Sequence, residues 1–294
     1  MNTTLTVIGP GRVGKTFTRL LDSTGLITVD QVVARTMDSA RAATTFIGAG
    51  VPTDLNQPLR PAAIFLLAVP DDQLAVACAH VVAQGAIRPG CVVFHCSGAR
   101  DASELRAAAD AGAHVASVHP IRSFADPAAV AASFAGTFCG VEGDPEAIAR
   151  LVPLLRAIGA RDLQLDAATK PLYHAAAVFA SNYLVTLMAV ARDCYGAAGI
   201  PAELALALAE PLARETLDNV FRLGPGAALT GPIARGDEAT VTRHLDTLSR
   251  ADPQSAALYQ AMAVLTRRLT ASIASTGSGS PAAATPPTSP AALL

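Results

Sequence analysis

A glycine-rich turn near the start of the chain could bind a phosphate group. Residues 9–14 read Gly-Pro-Gly-Arg-Val-Gly, which matches the GxGxxG pattern of dinucleotide-binding proteins. Residues 5–8 form an apolar run typical of a short buried strand, and residues 13–21 follow with a helical pattern. The turn therefore has the strand before it and the helix after it that this pattern requires.

Each glycine of this turn has a physical role in such a site. Gly9 permits the tight turn, Gly11 lets the backbone approach a pyrophosphate, and Gly14 lets the helix pack closely on the strand. The pyrophosphate would lie at the helix N-terminus, where unpaired N–H groups and the helix dipole favour an anion. The sequence predicts a dinucleotide site at Gly9, Pro10, Gly11, Arg12, Val13 and Gly14.

The residues that follow the second predicted strand distinguish between the two nicotinamide cofactors. An NAD site needs Asp or Glu about 20 residues beyond the motif, but the strand at residues 29–34 is followed by Arg35 and Thr36. A guanidinium group can hold a phosphate through two hydrogen bonds. We therefore predict NADP(H), with Arg35 and Thr36 at the ribose phosphate. The alternative is that Arg35 is a solvated surface residue.

Three later strand ends carry polar or turn residues. In an open α/β sheet, ligands bind beyond the carboxyl ends of the strands. Val69 and Pro70 end one predicted strand and would lie beneath the cofactor, while Ser97 and His119 follow two others. We predict catalytic roles for Ser97 and His119, with Ser97 also contacting the cofactor, although each segment could also be an ordinary turn.

An otherwise apolar segment carries a polar stripe. On one continuous helix, Lys170, His174 and Ser181 would lie within about 40° of each other, with Asn182 beside them. Such groups are costly to bury unpaired, so they either bond within the core or face a wet cleft. Hydride transfer to a carbonyl builds negative charge on oxygen, which a positioned Lys, His or Asn can stabilise.

We accordingly predict catalytic roles for Lys170, His174 and Asn182, with the proton donor left open between Lys170 and His174. Ser181 is predicted to contact the substrate. The alternative is that the stripe only joins helices in the core. The loop at residues 229–237 contains Thr230 and Arg235 and is followed by a helix that Asp237 could cap. This loop either closes on substrate through Thr230 and Arg235 or is purely structural.

The elements that position these residues change character near residue 166. Before it, strands alternate with helices, which predicts a doubly wound parallel sheet of the Rossmann type. After it, only helical patterns occur, at residues 170–198, 201–223, 237–251 and 253–272. We predict a dinucleotide-binding domain at 1–166, an all-α substrate and dimerisation domain at 167–274, and a disordered tail at 275–294 that is rich in Ser, Pro and Ala.

Composition excludes several classes of protein. The net charge of −2 gives no basic field for nucleic acid or an anionic membrane. The five cysteines form no CxxC pair, so neither a zinc site nor a disulfide framework is expected. Without an export signal, we expect a cytoplasmic protein.

Two expectations concern the apolar helices. Residues 172–191 lack formal charge and could span a bilayer by length, but they contain His, Ser, Asn and Tyr. We therefore predict a buried helix of a soluble domain. The long, largely uncharged helices expose more apolar surface than one small domain can cover, which predicts a homodimer through the helical domain.

Several segments together resemble a known family. They are GPGRVG at Gly9, LAVPDDQL at Leu67, HCSGA at His95, VHPIRSF at Val118, LYHAAAVFASNYLVTL at Leu172 and ALTGPIARGD at Ala228. The chain is similar over nearly its whole length to predicted oxidoreductases in which a Rossmann-like domain precedes a helical domain of unknown function. These look related to the 6-phosphogluconate dehydrogenase C-terminal-like superfamily, with ketopantoate reductase, pyrroline-5-carboxylate reductase, β-hydroxyacid dehydrogenases and prephenate dehydrogenase as cousins.

The resemblance implies a cofactor-binding domain, a dimerising helical domain and a site between them. β-Hydroxyacid dehydrogenases carry a catalytic Lys with an Asn four residues later; here Lys170 is followed by His174 at the Asn position. His119-Pro120 resembles the His-Pro of prephenate dehydrogenases, which also use the Ser97 loop for substrate.

These observations lead to an NADPH-dependent oxidoreductase that transfers hydride to a small carbonyl acid, with a ketopantoate-like 2-oxo acid as the expected substrate. An imine reductase and a prephenate-dehydrogenase-like enzyme are the alternatives within enzymes. A non-catalytic NADP(H)-binding sensor or scaffold is the alternative outside them.

Overall fold

The computed structural model describes residues 3–276, with side chains described through residue 271. The chain divides into two compact units, the first ending at Tyr183 and the second beginning at Leu184. The first unit extends beyond the expected boundary at residue 166, because the helix that begins at Lys170 packs on the sheet through its polar side chains.

Within the described residues, the first unit contains one eight-stranded sheet in the order β3-β2-β1-β4-β5-β6-β7-β8. Its strands are β1 (Thr3–Ile8), β2 (Ile27–Ala34), β3 (Val51–Asp54), β4 (Ile64–Leu67), β5 (Val92–His95), β6 (His114–Pro120), β7 (Phe138–Gly143) and β8 (Arg161–Gln164). The mostly parallel sheet confirms the predicted Rossmann class.

One strand pair departs from the predicted parallel arrangement. Strand β7 runs antiparallel to β6, with Val118 opposite Val141. The segment that connects them leaves β6 and enters β7 at the same end of the strands. The chain therefore returns without crossing over, and the two strands pair antiparallel. Strand β8 then pairs parallel to β7 after a helical crossover.

Apolar helices cover both faces of the sheet. The helices of the first unit are α1 (Arg12–Asp22), α2 (Met37–Ile47), α3 (Leu74–Ala83), α4 (Arg106–Asp110), α5 (Pro127–Ala132), α6 (Pro145–Ala157) and α7 (Lys170–Ala180). Strands β4 and β5 are buried at every residue, as parallel strands between two helical layers must be. On one face Phe17 packs edge-to-face against both Phe94 and Phe134.

The predicted continuous helix over residues 170–198 is wrong. The backbone leaves the helical conformation at Ser181, with φ −127° and ψ −69°, and α8 (Asn182–Ala197) begins after it. None of residues 172–191 is buried, so the expectation of a buried helix is also wrong; Lys170 is the one buried residue of α7.

By length and composition alone, Ala167–Ala197 could cross a membrane, which for a single segment is weak evidence. The break leaves helices of 11 and 16 residues, each shorter than the roughly 20 residues that span a bilayer. The segment also carries Lys170, whose charge is paired with a carboxylate from the sheet.

Every strand lies in the first unit among the described residues, and the second contains helices. Beyond most of α8 these are α9 (Ala202–Leu223), α10 (Pro225–Ala228), α11 (Glu238–Ala251) and α12 (Pro253–Thr276). The side chain of Asp237 accepts a hydrogen bond from the Thr240 N–H and caps α11, as predicted. Helix α12 continues to Thr276, so the first two residues of the predicted tail are helical. The rest of that tail, residues 277–294, lies outside the described residues.

Candidate functional site

The glycine turn between β1 and α1 has the shape that its sequence predicted. Gly9 has a φ of +79°, and a Cβ there would lie 2.9 Å from the carbonyl oxygen of Ala68. A Cβ on Gly14 would lie 2.7 Å from the Gly9 carbonyl oxygen and 2.8 Å from the Ala68 Cβ. A Cβ on Gly11 would meet nothing within 4 Å. Two glycines thus permit close packing, while the third borders open space.

A cavity of about 650 Å³ adjoins this turn at the carboxyl ends of β1, β2 and β4. Six of the predicted cofactor residues line it, namely Gly9, Pro10, Gly11, Arg35, Val69 and Pro70. The sequence analysis missed a further set on α2, α3 and the loops between them: Ser39, Leu55, Gln73, Val76, Ala77 and His80. Val76, Ala77 and His80 share one face of α3, and Gln73 is its N-cap, so their helical spacing is a signal that could have identified them.

The end of β2 combines a cation with a helix N-terminus. Arg35 is exposed and lines the cavity beside Ser39. Thr36 is not among the residues that line the cavity, and its hydroxyl caps α2 by accepting from the Ser39 N–H at 3.2 Å. The helix N-terminus adds a positive partial charge close to the guanidinium of Arg35. This edge of the cavity is therefore suited to a phosphate.

A second polar cluster, the histidine cluster, lies where α7 meets the carboxyl ends of β5 and β6. It consists of Gly98, His119, Tyr173 and His174. His119 Nδ1 lies 2.9 Å from the Tyr173 hydroxyl, and the rings of His119 and His174 meet edge-to-face with centroids 5.8 Å apart. A Cβ on Gly98 would clash with the rings of both histidines. The sequence did not predict Tyr173, because helical spacing indicated only Lys170, His174 and Ser181, with Asn182 beside them.

Lys170 lies in the core beneath this cluster. Its side chain is 1% exposed, and Nζ donates to Glu142 Oε1 at 2.9 Å and to the Ser117 hydroxyl. Glu142, whose side chain is 7% exposed, also accepts from the Ala102 N–H at 3.0 Å. Ser117 in turn donates to the carbonyl oxygen of Ser97. The ammonium group thus belongs to a buried network that ties α7 to the sheet and to the Ser97 loop.

The Ser97 loop is held by its own hydrogen bonds. The Ser97 N–H donates to His95 Nδ1 at 3.1 Å, which leaves Nε2 of a neutral His95 to donate to the Asp101 carbonyl oxygen at 3.0 Å. The Ser97 hydroxyl accepts from the N–H groups of Ala99 and Arg100. Ser97 is buried and forms this turn, so any contact of its hydroxyl with a ligand uses its remaining proton.

Burial shifts the titration of these groups. Desolvation, together with the nearby Lys170 charge, lowers the pKa of His95 to about 4. Desolvation, with His174 and then Lys170 as neighbours, lowers the pKa of His119 to about 4. Desolvation raises the pKa of Tyr173 to about 12 and lowers that of Lys170, which the Glu142 carboxylate opposes. At neutral pH the cluster contains a neutral His119 and a protonated Tyr173.

Helix α7 ends at Ala180, and Ser181 is its C-cap, with an N–H that still donates to the Ala177 carbonyl oxygen at 3.0 Å. Asn182 begins α8, whereas Thr230 and Arg235 are exposed residues of the loop before α11 in the second unit. The site roles of Ser181, Asn182, Thr230 and Arg235 stay predictions. No group of three or more His, Cys, Asp or Glu side chains within the described part of the chain could hold a metal ion.

Two known domain families match consecutive parts of the chain. Residues 2–120 match the Rossmann-like domain family, and residues 137–266 match a domain of unknown function, DUF2520. Together the two matches cover most of the chain, with the Rossmann-like match first. This confirms the resemblance to oxidoreductase-type proteins with that order of domains. No curated protein matches the sequence.

Solved structures show the same fold. Protein TM1727 from Thermotoga maritima is 25% identical, with 92% of this chain and 99% of that chain covered and a TM-score of 0.70. A candidate NADP oxidoreductase, BF3122 from Bacteroides fragilis, is 24% identical over 91% and 98% of the two chains, with a TM-score of 0.75. An imine reductase from Myxococcus stipitatus in complex with NADP⁺ is 17% identical over 93% and 95%, with a TM-score of 0.57.

Proposed function

We propose that the protein is an NADPH-dependent oxidoreductase that reduces a small carbonyl acid, with a ketopantoate-like 2-oxo acid as the leading substrate. The observation that carries the cofactor assignment is the cavity beside the glycine turn, where Arg35 and Ser39 replace the acidic residue of an NAD site. The names of two structural neighbours, BF3122 and the imine reductase, also refer to NADP.

The residues fit this cofactor. The pyrophosphate is assigned to the open side of Gly11 at the N-terminus of α1, where a side chain would take the space. Leu55, Val76 and Ala77 provide an apolar wall for the adenine, and Arg35 pairs with the ribose phosphate. When bound, NADPH supplies the hydride, and the protein supplies binding, orientation and hydrogen-bond donors.

Cofactor titrations test this assignment. NADPH should bind more tightly than NADH, and Arg35→Ala should weaken NADPH binding about 10- to 100-fold, the range expected for losing charge-assisted hydrogen bonds. NADH affinity should change little. Arg41→Ala removes the same charge from an exposed site on α2 and serves as the control. Equal affinities for the two cofactors in the wild type, or an Arg35→Ala variant with unchanged NADPH affinity, contradicts the proposal.

The histidine cluster is assigned to the reacting end of the substrate. His119, near the carboxyl end of β6, lies next to His174 of α7, and Lys170 is already paired in the core. We therefore place proton or hydrogen-bond donation with the histidines and Asn182, and expect His174→Ala and Asn182→Ala to lower turnover about 100-fold. NADPH affinity should stay unchanged. A variant with a lower melting temperature but full specific activity of the folded fraction indicates a structural role instead.

A screen of 2-oxo acids and cyclic imines tests the substrate class, with oxidation of NADPH measured as the loss of its absorbance. Oxidation with an imine alone selects the imine reductase alternative, and reduction of NADP⁺ with prephenate selects the dehydrogenase alternative. NADPH binding without turnover of any of these classes favours the sensor or scaffold.

The second unit is assigned to dimerisation. Helix α9 exposes several large apolar side chains: Leu204, Leu206, Leu208, Leu212 and Phe221, the last at 85%. Exposed apolar surface on this scale marks an interface, and a closed pair of identical chains is the commonest way to cover it. We also propose a cytoplasmic location, with which the five free thiols are compatible. Light scattering at micromolar concentration should give the mass of a dimer, and a monomer contradicts the assignment.

A further inference from the structure

The contact between His119 and Tyr173 determines which nitrogen of the imidazole is available for chemistry. The two rings meet edge-to-face, with centroids 5.6 Å apart and planes at 89°, and the hydroxyl lies 2.9 Å from Nδ1. Two glycines make room for this arrangement. A Cβ on Gly140 of β7 would lie 2.8 Å from the Tyr173 hydroxyl, and one on Gly98 would lie 2.7 Å from His119 Nε2.

The proton in this contact belongs on the tyrosine oxygen. A phenol is a stronger hydrogen-bond donor than a neutral imidazole N–H, and an imidazole nitrogen is a stronger acceptor than a phenol oxygen. Burial keeps Tyr173 protonated and His119 neutral near pH 7. The charged and titratable groups around His119 are His174 and Lys170 on α7 and Asp71 before α3. Desolvation, then His174 and Lys170, lower the pKa of His119, while Asp71 raises it more weakly.

If Tyr173 donates to Nδ1, the ring hydrogen of the neutral His119 is on Nε2. We propose that Tyr173 is a positioning residue that fixes His119 as its Nε2–H tautomer, so that His119 presents a hydrogen-bond donor to the substrate. This inference rests on the proposed function, since it assumes that the histidine cluster faces a substrate. It selects substrates whose reacting group accepts a hydrogen bond, such as a carbonyl oxygen or an imine nitrogen.

A donor of this kind polarises its partner without giving up its proton in the resting complex. A carbonyl that accepts from Nε2–H gains stabilisation as negative charge develops on oxygen during hydride transfer. Because His119 is neutral, a ground-state imidazolium is not the source of the proton. His174 lies against the same ring and is the remaining titratable group of the cluster beside Nε2.

Nitrogen-15 NMR of histidine-labelled protein tests the tautomer without any substrate. At pH 7 we expect the His119 signals of a non-protonated Nδ1 and a protonated Nε2, assigned by their loss in His119→Gln. Tyr173→Phe removes the donor, so the Nδ1 signal should move toward that of a protonated nitrogen as the two tautomers exchange. A wild-type His119 with its proton on Nδ1, or a charged imidazolium, overturns the proposal.

The second unit provides a matched control. His244 Nδ1 lies 2.9 Å from the Tyr259 hydroxyl, with ring centroids 5.8 Å apart at 87°, which repeats the geometry of the His119–Tyr173 contact. Tyr259→Phe should move the His244 signals and leave those of His119 in place. A Tyr173→Phe variant that folds, as judged by its melting curve, but keeps the wild-type His119 tautomer shows that Tyr173 does not set it.

Failure of this inference is distinguishable from failure of the proposed function. The tautomer is read in the absence of cofactor and substrate, whereas the proposed function depends on NADPH titration and turnover. Tight NADPH binding with an Nδ1–H tautomer leaves the oxidoreductase proposal intact and removes only the role of Tyr173. An Nε2–H tautomer in a protein that does not bind NADPH supports the role of Tyr173 and contradicts the oxidoreductase proposal.

Discussion

The buried ion pair of Lys170 and Glu142 allows a quantitative test of whether Lys170 is structural. Lys170→Met removes the ammonium but keeps most of the side-chain volume. The Glu142 carboxylate, 7% exposed, is then left with the Ala102 N–H as its hydrogen-bond donor in the described structure. Removing one partner of a buried pair costs about 3–5 kcal/mol, because the remaining charge is desolvated without compensation.

This loss is large enough to measure by thermal unfolding. At about 2–4 °C per kcal/mol for a domain of this size, Lys170→Met should lower Tm by about 6–20 °C. Glu142→Gln should be similarly destabilising, since it leaves the buried Lys170 ammonium without its carboxylate partner. The double variant should recover most of the loss, because the neutral amide introduced at position 142 can still accept from the Ala102 N–H. Urea unfolding of all four proteins gives the coupling energy of the pair.

A surface pair provides the control. Arg156 and Asp162 are 2.7 Å apart, but the arginine side chain is 66% exposed. Arg156→Met should therefore leave Tm nearly unchanged. The reasoning is refuted if Lys170→Met melts like the wild type, or if the double variant is as unstable as the sum of the two single ones. A stable Lys170→Met protein that has lost turnover indicates a catalytic lysine instead.

Two further predictions concern the glycine turn and the buried histidines. Gly11→Ala should melt like the wild type yet bind NADPH at least about tenfold more weakly, because the added Cβ meets no protein atom and fills the pyrophosphate space. Gly14→Ala should instead lower Tm, because its Cβ overlaps the turn. Calorimetric titration and melting curves separate the two effects, and an unchanged NADPH Kd in Gly11→Ala contradicts the proposed cofactor site. Stability should fall as pH drops from about 6.5 toward 4, because His95 and His119 have pKa values of about 4 when folded, so the unfolded chain binds more protons in that window. Urea unfolding across pH should show a smaller slope for His119→Gln than for wild type or the exposed-site control His244→Gln, and identical slopes would contradict a buried neutral His119.

Local sequence patterns were sufficient to predict the Rossmann domain. A GxGxxG turn between an apolar strand and a helix is compatible with few folds other than the Rossmann fold, since Gly9 must adopt a positive φ and Gly14 must face the strand. Continuous apolar strands such as β4 predict burial on both faces. The cap at Asp237 was likewise predictable, because a cap depends on residues three positions apart.

Features that depend on distant parts of the chain required the tertiary structure. The antiparallel β6–β7 pair depends on where the connecting segment returns to the sheet, and periodicity carries no information about that. The break at Ser181 interrupts an apolar pattern that continues through it, so helical spacing wrongly predicted one continuous helix where the structure has two.

The contacts of the candidate site show the same limit. The sequence identified Lys170 as a polar group on an apolar helix, which had to be paired or to face a cleft. Only the fold shows the pairing, because Glu142 lies on a strand 28 residues away along the chain. Tyr173 and His119 are separated by 54 residues and meet only when α7 packs across the strand ends. Residue type therefore predicted that Lys170 needs a partner, and tertiary packing decided which partner it has; the contact of Tyr173 with His119 was not predicted.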